Sequence, residues 1–354
     1  MSRSLAAKMG AWTGHADAVV DRVRKEIQVD QDVLKEAKKR RELVKEIASA
    51  YLGFVRTFNS GSTAHGTAKK PLPDADCGAV LDRRSHTAYG PDSELGRGPN
   101  ELVQKVARFV EVEVRRSYPS AEVKITKRAI DISFNAPVGG EDPSVDLIVA
   151  LTRRDEPGLW IPNTGRNVWN ASDPEKHTEL LTAEPKSLRV YRARLIRLAK
   201  VAVGRHDDKA VMISFNIEAL ALRHVTEVSG LAVGLRDLFL AMSNDIARGL
   251  TPDPAGVSPP IKLPLGITQE TASRRFGHFA NKIGKAVEHT HDETAVMRAL
   301  AEVFPDQLPE VASDRADLAS ALRSGNASGA AALGLVGGTQ HLSDSTRAFG
   351  DARS

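Results

Sequence analysis

The chain has 354 residues, 41% of them hydrophobic and 27% charged, which allows a substantial core and, on length, two or three domains. Lys+Arg 49 against Asp+Glu 45 leaves a net charge of only +4, too mild a bias to announce a nucleic-acid-binding protein. The single cysteine, Cys77, excludes an intramolecular disulfide and a cysteine-rich zinc site, and no apolar run is long enough for a signal peptide or a membrane span, so a soluble cytoplasmic protein is expected.

From about Ala16 to Leu52 apolar residues recur near a 3.6 period and predict helix, with a break at Gln31-Asp32. The run Lys38, Lys39, Arg40, Arg41 could hold a polyanion, but the preferred expectation is a solvated helix face with Glu36 and Glu42 as partners. The apolar segment Tyr51 to Val55 leads to a glycine-rich turn and then to a strand opening at Asp74. Arg83 to Asn100 is rich in Gly and Pro and predicts a polar loop, and Glu101 to Tyr118 predicts an amphipathic helix. Glu122 to Phe134 and Ser144 to Leu151 each predict a strand, joined by the turn-rich APVGGEDP.

After Arg154 the pattern is mostly helical. A long loop, GLWIPNTGRNVWNAS, is expected to lead into a helix capped by Asp173 with Pro174 in its first turn. Further helices are predicted at Lys186 to Val203 with Gly204 as C-cap, Ser214 to Val225, Leu231 to Arg248, Glu270 to Glu288 and Asp292 to Phe304. The residues after about Arg323 are mostly small and polar and predict a flexible tail, whose end AFGDARS is a candidate peptide for a regulatory protein. The expected fold class is α+β, a small mixed-sheet core with a long N-terminal helical segment and a C-terminal helical domain. The expected boundaries are 1–52, 53–155, 156–312 and a tail at 313–354.

The chemistry concentrates between Phe58 and Asp82, FNSGSTAHGTAKKPLPDADCGAVLD. Asp74 and Asp76 are two apart on a strand, so both side chains leave one face, while Cys77, Ala79 and Leu81 take the other and make Cys77 a core thiol. Paired carboxylates suit Mg²⁺, which prefers oxygen ligands and leaves room for phosphate. A two-metal site needs a third carboxylate. Asp131 and Asp146 are the candidates, and Asp146 is preferred because an unbroken apolar run around it, SVDLIVAL, predicts a buried central strand. Gly61, Ser62 and Thr63 offer backbone N–H groups and hydroxyls to phosphate. A P-loop is excluded because Thr67 stands where that motif requires lysine. His177, His289 and His291 lack partners at metal-ligand spacing and are expected at the surface or as caps.

Gly61-Ser62, Gly66-Thr67, Asp74-Ala75-Asp76 and Val145-Asp146-Leu147 together resemble the DNA polymerase β-like nucleotidyltransferase superfamily. Within it the chain looks like the cGAS/DncV-like nucleotidyltransferases, relatives of the oligoadenylate synthetases. The strand from Asp146, Ile161-Pro162, Trp169, Asp173-Pro174 and His177 resemble that group's segment after its third aspartate, and Arg197 to Lys200 and Ser214 to Glu218 its later helix pair. The resemblance covers roughly residues 30 to 305.

It implies a two-lobed molecule with the active site in the cleft. Asp74, Asp76 and Asp146 would be the catalytic residues and would hold two Mg²⁺, with Mn²⁺ as a substitute. Gly61, Ser62 and Thr67 would contact the donor triphosphate, Lys200 would neutralise it, Ser214 would bind a phosphate oxygen and Phe215 would stack on the base. The alternatives are an N-cap for Ser214, a core place for Phe215 and a surface place for Lys200. The implied substrates are NTPs, ATP first, and the implied product is a cyclic di- or trinucleotide second messenger of anti-phage defence that reaches a downstream effector. The rivals are transfer to a macromolecule or small molecule, and a catalytically silent relative that binds nucleic acid through Lys38 to Arg41. Intact Asp74, Asp76 and Asp146 weigh against silence, and direct nucleic-acid binding is not expected.

Overall fold

The computed structural model describes residues 14–154, 156–183, 185–204 and 210–308. The expected C-terminal tail and its partner peptide lie outside the described residues. Elements follow in the order α1 (His15–Glu26), α2 (Gln31–Ser49), β1 (Phe54–Asn59), α3 (Gly61–His65), β2 (Asp74–Leu81), α4 (Gly98–Ser117), β3 (Glu122–Ile125), β4 (Ile130–Ser133) and β5 (Ser144–Thr152). They continue with β6 (Leu159–Asn163), β7 (Val168–Ser172), α5 (Pro174–Thr182), α6 (Lys186–Val203), α7 (Ser214–His224), α8 (Leu231–Arg248), α9 (Gln269–Glu288) and α10 (Glu293–Ala301). The α+β expectation holds: a mixed sheet is followed by a helical C-terminal part.

The seven-stranded sheet runs β1-β2-β5-β4-β3, with β6 paired to the far end of β5 and β7 to β6. β2 and β5 are parallel and in register from Asp74↔Ser144 to Leu81↔Leu151, and the remaining pairs are antiparallel. β2 is buried from Cys77 to Leu81, and β5 buries Val145, Leu147 and Val149 to Leu151, which is why both read as largely apolar runs. One sheet face carries Cys77, Ala79, Leu81, Leu147, Val149 and Leu151 into a core with α4 and α2. Burial pushes the Cys77 thiol well above its ordinary range, so it is an inert core residue as expected.

Three local expectations change. Glu122 to Phe134 is two strands, β3 and β4, joined at residues 126–129. The segment expected as a long loop contains the hairpin β6–β7, turned at 164–167 where Asn167 takes a φ of +51°. β1, which carries no clean alternation, is a strand antiparallel to β2. The break near Gln31 does occur, at 27–30, and Asp30 caps α2 by accepting from the N–H groups of Asp32 and Val33 at 2.8 and 3.3 Å.

The basic run on α2 has the expected partners, Glu36 for Lys39 and Arg40 at 3.4 and 3.1 Å and Glu42 for Arg41 at 3.2 Å, but it is not the solvated face expected. Arg40 is fully buried and donates to Asp142 at 2.6 Å, to the carbonyl of Pro143 at 2.8 Å and to that of Ala136, with its guanidinium over the Phe134 ring. Arg41 is buried against Thr63. Only Lys38 and Lys39 face solvent.

The helices form a second core. α8 and α9 pack on each other through Phe239, Phe276 and Phe279, and α1 adds Val19, Val20 and Val23 to this core. The two N-terminal helices therefore serve different halves: α1 packs with the helical part and α2 packs on the sheet. Among the described residues no helix is long and apolar enough to cross a membrane.

Candidate functional site

Register decides which acids meet. Asp76 on β2 is paired with Asp146 on β5, and Asp146 with Asp131 on β4, so three carboxylates line up across neighbouring strands. Asp74, two residues before Asp76, leaves the same face. Burial first, then the charges of Asp74, Asp146 and Glu218, push Asp76 up to about 7. Asp146 is pushed up to about 6 by burial and then by Asp74 and Asp131. Asp74 is raised by burial and by Asp131, against the opposing charge of Lys200. Among the described residues no Lys, Arg or His forms an ion pair with Asp74, Asp76 or Asp146.

The turn after β1 reaches this row at close range. Gly61 has a φ of +66°, and a Cβ there would lie 1.6 Å from Asp76 Oδ2. Only glycine lets the backbone approach the carboxylate in this way. The same holds at Gly78, two residues beyond Asp76, where the Phe58 ring would stand 2.0 Å from a Cβ. Ser62 follows Gly61 at the edge of a cavity of about 510 Å³ that Asp74 and Asp76 also line. Thr67 is placed differently from expectation. It is buried, and its hydroxyl is engaged by Glu218 and Lys200, so it supports the cavity floor and has no hydroxyl to offer a phosphate.

Across the cavity stands the helical wall, lined by His177, Lys200, Ser214, Phe215 and Glu218. Lys200 is 8% exposed and no surface residue; its ammonium donates to Glu218 Oε1 at 2.7 Å and to Thr67 Oγ1 at 3.0 Å. Ser214 is exposed at the first position of α7, and the N-cap is Ile213, so its hydroxyl is not used as a cap. Phe215 is half-buried at the cavity with its ring centroid 4.6 Å from that of His177, which sets aside a core role.

Three partners of this wall escaped sequence reasoning. His177 is neither a surface residue nor a cap. It is buried, and its Nε2 donates to Asp253 Oδ1 at 2.6 Å, while Asp253 also accepts the N–H groups of Val257 and Ser258. His65, at the end of α3, donates from Nδ1 to Glu218 Oε2 at 2.9 Å and holds Nε2 3.0 Å from Thr178 Oγ1. Glu218 lay in SFNIE without a role. Its signal was available, because a glutamate one turn after Ser214 shares that residue's helix face. Asp253 had none. His289 and His291 are exposed, as expected.

Comparison with known proteins fits this geometry. Residues 17–184 match the family model of the Second Messenger Oligonucleotide or Dinucleotide Synthetase domain. Over residues 17–184 the chain is thus similar to the synthetase domain of the cGAS/DncV-like nucleotidyltransferases. The fold is that of solved members: Bradyrhizobium diazoefficiens CdnG in complex with GTP aligns at a TM-score of 0.62 with 16% identity, over 84% of this chain and 97% of that one. E. coli MS115-1 CdnC, in a complex with HORMA-deltaN, aligns at 0.60 with 15% identity over 84% and 98% of the two chains. Vibrio cholerae DncV cyclic AMP-GMP synthase, bound to a linear intermediate, aligns at 0.53 with 14% identity over 86% and 90%. No curated protein matches the chain by sequence.

The donor set on the sheet fits hard divalent cations. The available groups are all carboxylate oxygens, their affinities for protons are raised by burial first and then by neighbouring carboxylates, and no described Lys, Arg or His is ion-paired with them. Among the described residues no three His, Cys, Asp or Glu side chains are grouped as a ready-made metal site. A larger cavity of about 750 Å³ lies between α1 and the starts of α6 and α8, but its Asp17 is bound to the Ala232 N–H at 2.8 Å and it holds none of the aspartate row.

Proposed function

We propose that this nucleotidyltransferase joins NTPs, ATP first, into a cyclic di- or trinucleotide second messenger that acts on a downstream effector in anti-phage defence. The observation that carries it is Asp74 and Asp76, with Asp146 in register beside Asp76, on the sheet side with Ser62, facing Lys200 and Phe215 across a cavity of about 510 Å³, within the range that holds a small ligand. When bound, two Mg²⁺ would neutralise phosphate charge and ease loss of the attacking hydroxyl's proton.

Asp74 and Asp76 would hold both ions, and Asp146 would hold the one nearer the acceptor and orient its ribose hydroxyl. That oxygen, its proton passing to solvent, would form a bond to the α-phosphorus of the donor while the bond from that phosphorus to the oxygen bridging to the β-phosphate breaks, and pyrophosphate leaves. Gly61, through its backbone N–H, and Ser62 would hold the triphosphate from the sheet side, and Lys200 and Ser214 from the helical side. Phe215, backed by His177, would stack on the base. Catalysis of this kind is positioning and charge neutralisation, which needs no His or Cys nucleophile.

The test is incubation of the protein with all four NTPs and Mg²⁺ or Mn²⁺, followed by mass spectrometry of phosphatase-treated products. A phosphatase-resistant cyclic species, absent with Asp74→Ala plus Asp76→Ala, is the expected result. Aspartate-dependent labelling of a macromolecule with no small product would move the assignment to transfer onto that acceptor.

A further inference from the structure

Beside the wall meant for a polyanion stands a buried anion. Glu218 is 5% exposed and lies one helical turn beyond Ser214. Its Oε1 accepts from the Lys200 ammonium at 2.7 Å and from the Thr67 hydroxyl, and its Oε2 accepts from His65 Nδ1 at 2.9 Å. These donors come from α6, from the turn after α3 and from the end of α3. Burial opposes its ionisation, but the His65 hydrogen bond and the Lys200 charge outweigh it and hold the carboxyl down at about 2. The group is an anion at every physiological pH.

Such a charge repels an incoming triphosphate, and it contributes to the rise at Asp76. Coulomb's law alone makes it a fault in the site. What it holds offsets that fault. Lys200 would otherwise carry several free rotamers at the end of a long stem, and ordering such a side chain on binding is costly. Here the ammonium is held by Glu218 Oε1 at 2.7 Å, by Thr67 Oγ1 at 3.0 Å and, at 3.5 Å, by the Thr67 carbonyl, and Thr67 donates in turn to the same carboxylate. The triangle fixes the ammonium close enough to the sheet wall for Asp74 to feel its charge. His65 and Thr67 immobilise the carboxylate, and the carboxylate immobilises Lys200.

We propose that Glu218 is a positioning residue for nucleotidyl transfer, acting through Lys200 to pre-orient its ammonium toward the donor triphosphate. The proposal rests on the assignment of this cavity as the NTP site. Its signature is a sign: neutralising a negative charge next to a polyanion weakens polyanion binding.

The experiment measures binding of ATP and of inorganic triphosphate by calorimetry to the wild type, Glu218→Gln, Lys200→Ala and the double variant, with thermal unfolding recorded for each. Glu218→Gln is expected to weaken both ligands about tenfold, the size of one charge-assisted hydrogen bond, and to cost less than about twofold in the Lys200→Ala background. Phe215→Ala is expected to weaken ATP and leave inorganic triphosphate unchanged. In transfer kinetics Glu218→Gln raises the donor KM more than it lowers kcat, a split that mere loss of stability does not produce. Should Glu218→Gln fail to fold, Thr67→Val reads the same coupling, with binding weakened about threefold and that loss abolished in Lys200→Ala.

Unchanged or tighter binding by the glutamine variant overturns the proposal. So does a penalty that persists undiminished without Lys200. If the wild type binds neither ligand, both the proposal and the NTP site fall. If binding behaves as expected while no NTP is consumed, only the proposed activity falls.

Discussion

On the sheet wall Asp74, Asp76 and Asp146 stand side by side with no described Lys, Arg or His ion-paired to them, and Asp76 and Asp146 rise to about 7 and about 6. On the helical wall Glu218 is buried too, yet it falls to about 2 because His65, Lys200 and Thr67 all donate to it. Burial is common to both walls, so burial does not decide the outcome; the partner does. A carboxylate that the fold has paired belongs to the scaffold. A row that the fold has left unpaired is a strained charge arrangement that a divalent cation would relieve.

The largest expected effect breaks the sheet side. Asp74→Ala plus Asp76→Ala should lower nucleotidyl transfer by on the order of a thousandfold or more, the loss of several kcal/mol of transition-state stabilisation. The same double variant should unfold at the same temperature as the wild type or higher, because it removes mutual repulsion and no pairing. Loss of activity with a large loss of stability would show that the row is structural.

Next in size is Gly61→Ala, whose Cβ has no room beside Asp76 Oδ2 and whose backbone φ is +66°. It should cost ~1–3 kcal/mol of stability and about a hundredfold in transfer, since the turn must back away from the acid it is meant to approach. Unfolding and steady-state rates measured on one preparation would check both numbers. An alanine variant with wild-type rates would remove the turn from the site.

A third, smaller effect uses the opposite linkage of the two walls. Asp76 and Asp146 retain protons in the folded protein that the unfolded chain has lost above its ordinary value of 3.8, so they withdraw stability as pH rises from about 4 to 7. Glu218 does the reverse: its contribution is full above its ordinary 4.5 and is lost as pH falls toward 2. Mg²⁺ should therefore raise the unfolding temperature by several degrees at about pH 8 and far less at about pH 5, where protons compete for the same oxygens. Equal stabilisation at both pH values would place the cation elsewhere.

How much of this could be read from the chain depends on how far apart the partners lie. Asp74, Asp76 and Asp146 each fall in a short alternating or apolar run, so their strands and shared face were legible, and α6 and α8 were delimited by periodicity and caps. The hairpin β6–β7 was not, because Pro162, Gly165 and Asn167 read as punctuation when the turn needs only Asn167 at positive φ. The core of the helical wall was hidden by distance. His65 meets Glu218 across 153 positions, and His177 meets Asp253 across 76, so no local spacing announces either pair. Arg40 misled in part for the same reason: its local partner Glu36 was legible, but Asp142, which helps to bury it, lies 102 residues on.

Arg40 also extends the contrast between paired and unpaired charge to the far side of the sheet, where the smallest effect is expected. Arg40 is sealed from solvent by its carboxylate and carbonyl partners, and Arg41 is buried beside Thr63, so neither can be offered to a nucleic acid. Lys38 and Lys39 are exposed, and the one ion pair Lys39 makes, to Glu36 at 3.4 Å, has a lysine 69% open to water. Surface pairs of that kind contribute ~0–1 kcal/mol. Lys38→Ala plus Lys39→Ala should then leave stability within ~0.5 kcal/mol and transfer within about twofold. Duplex DNA or RNA added to the wild type should bind no more tightly than to the double variant across a salt titration. A steep salt-dependent affinity lost with these two lysines would make the exposed pair a polyanion contact, and would show that an unpaired charge can carry function here without a pocket around it.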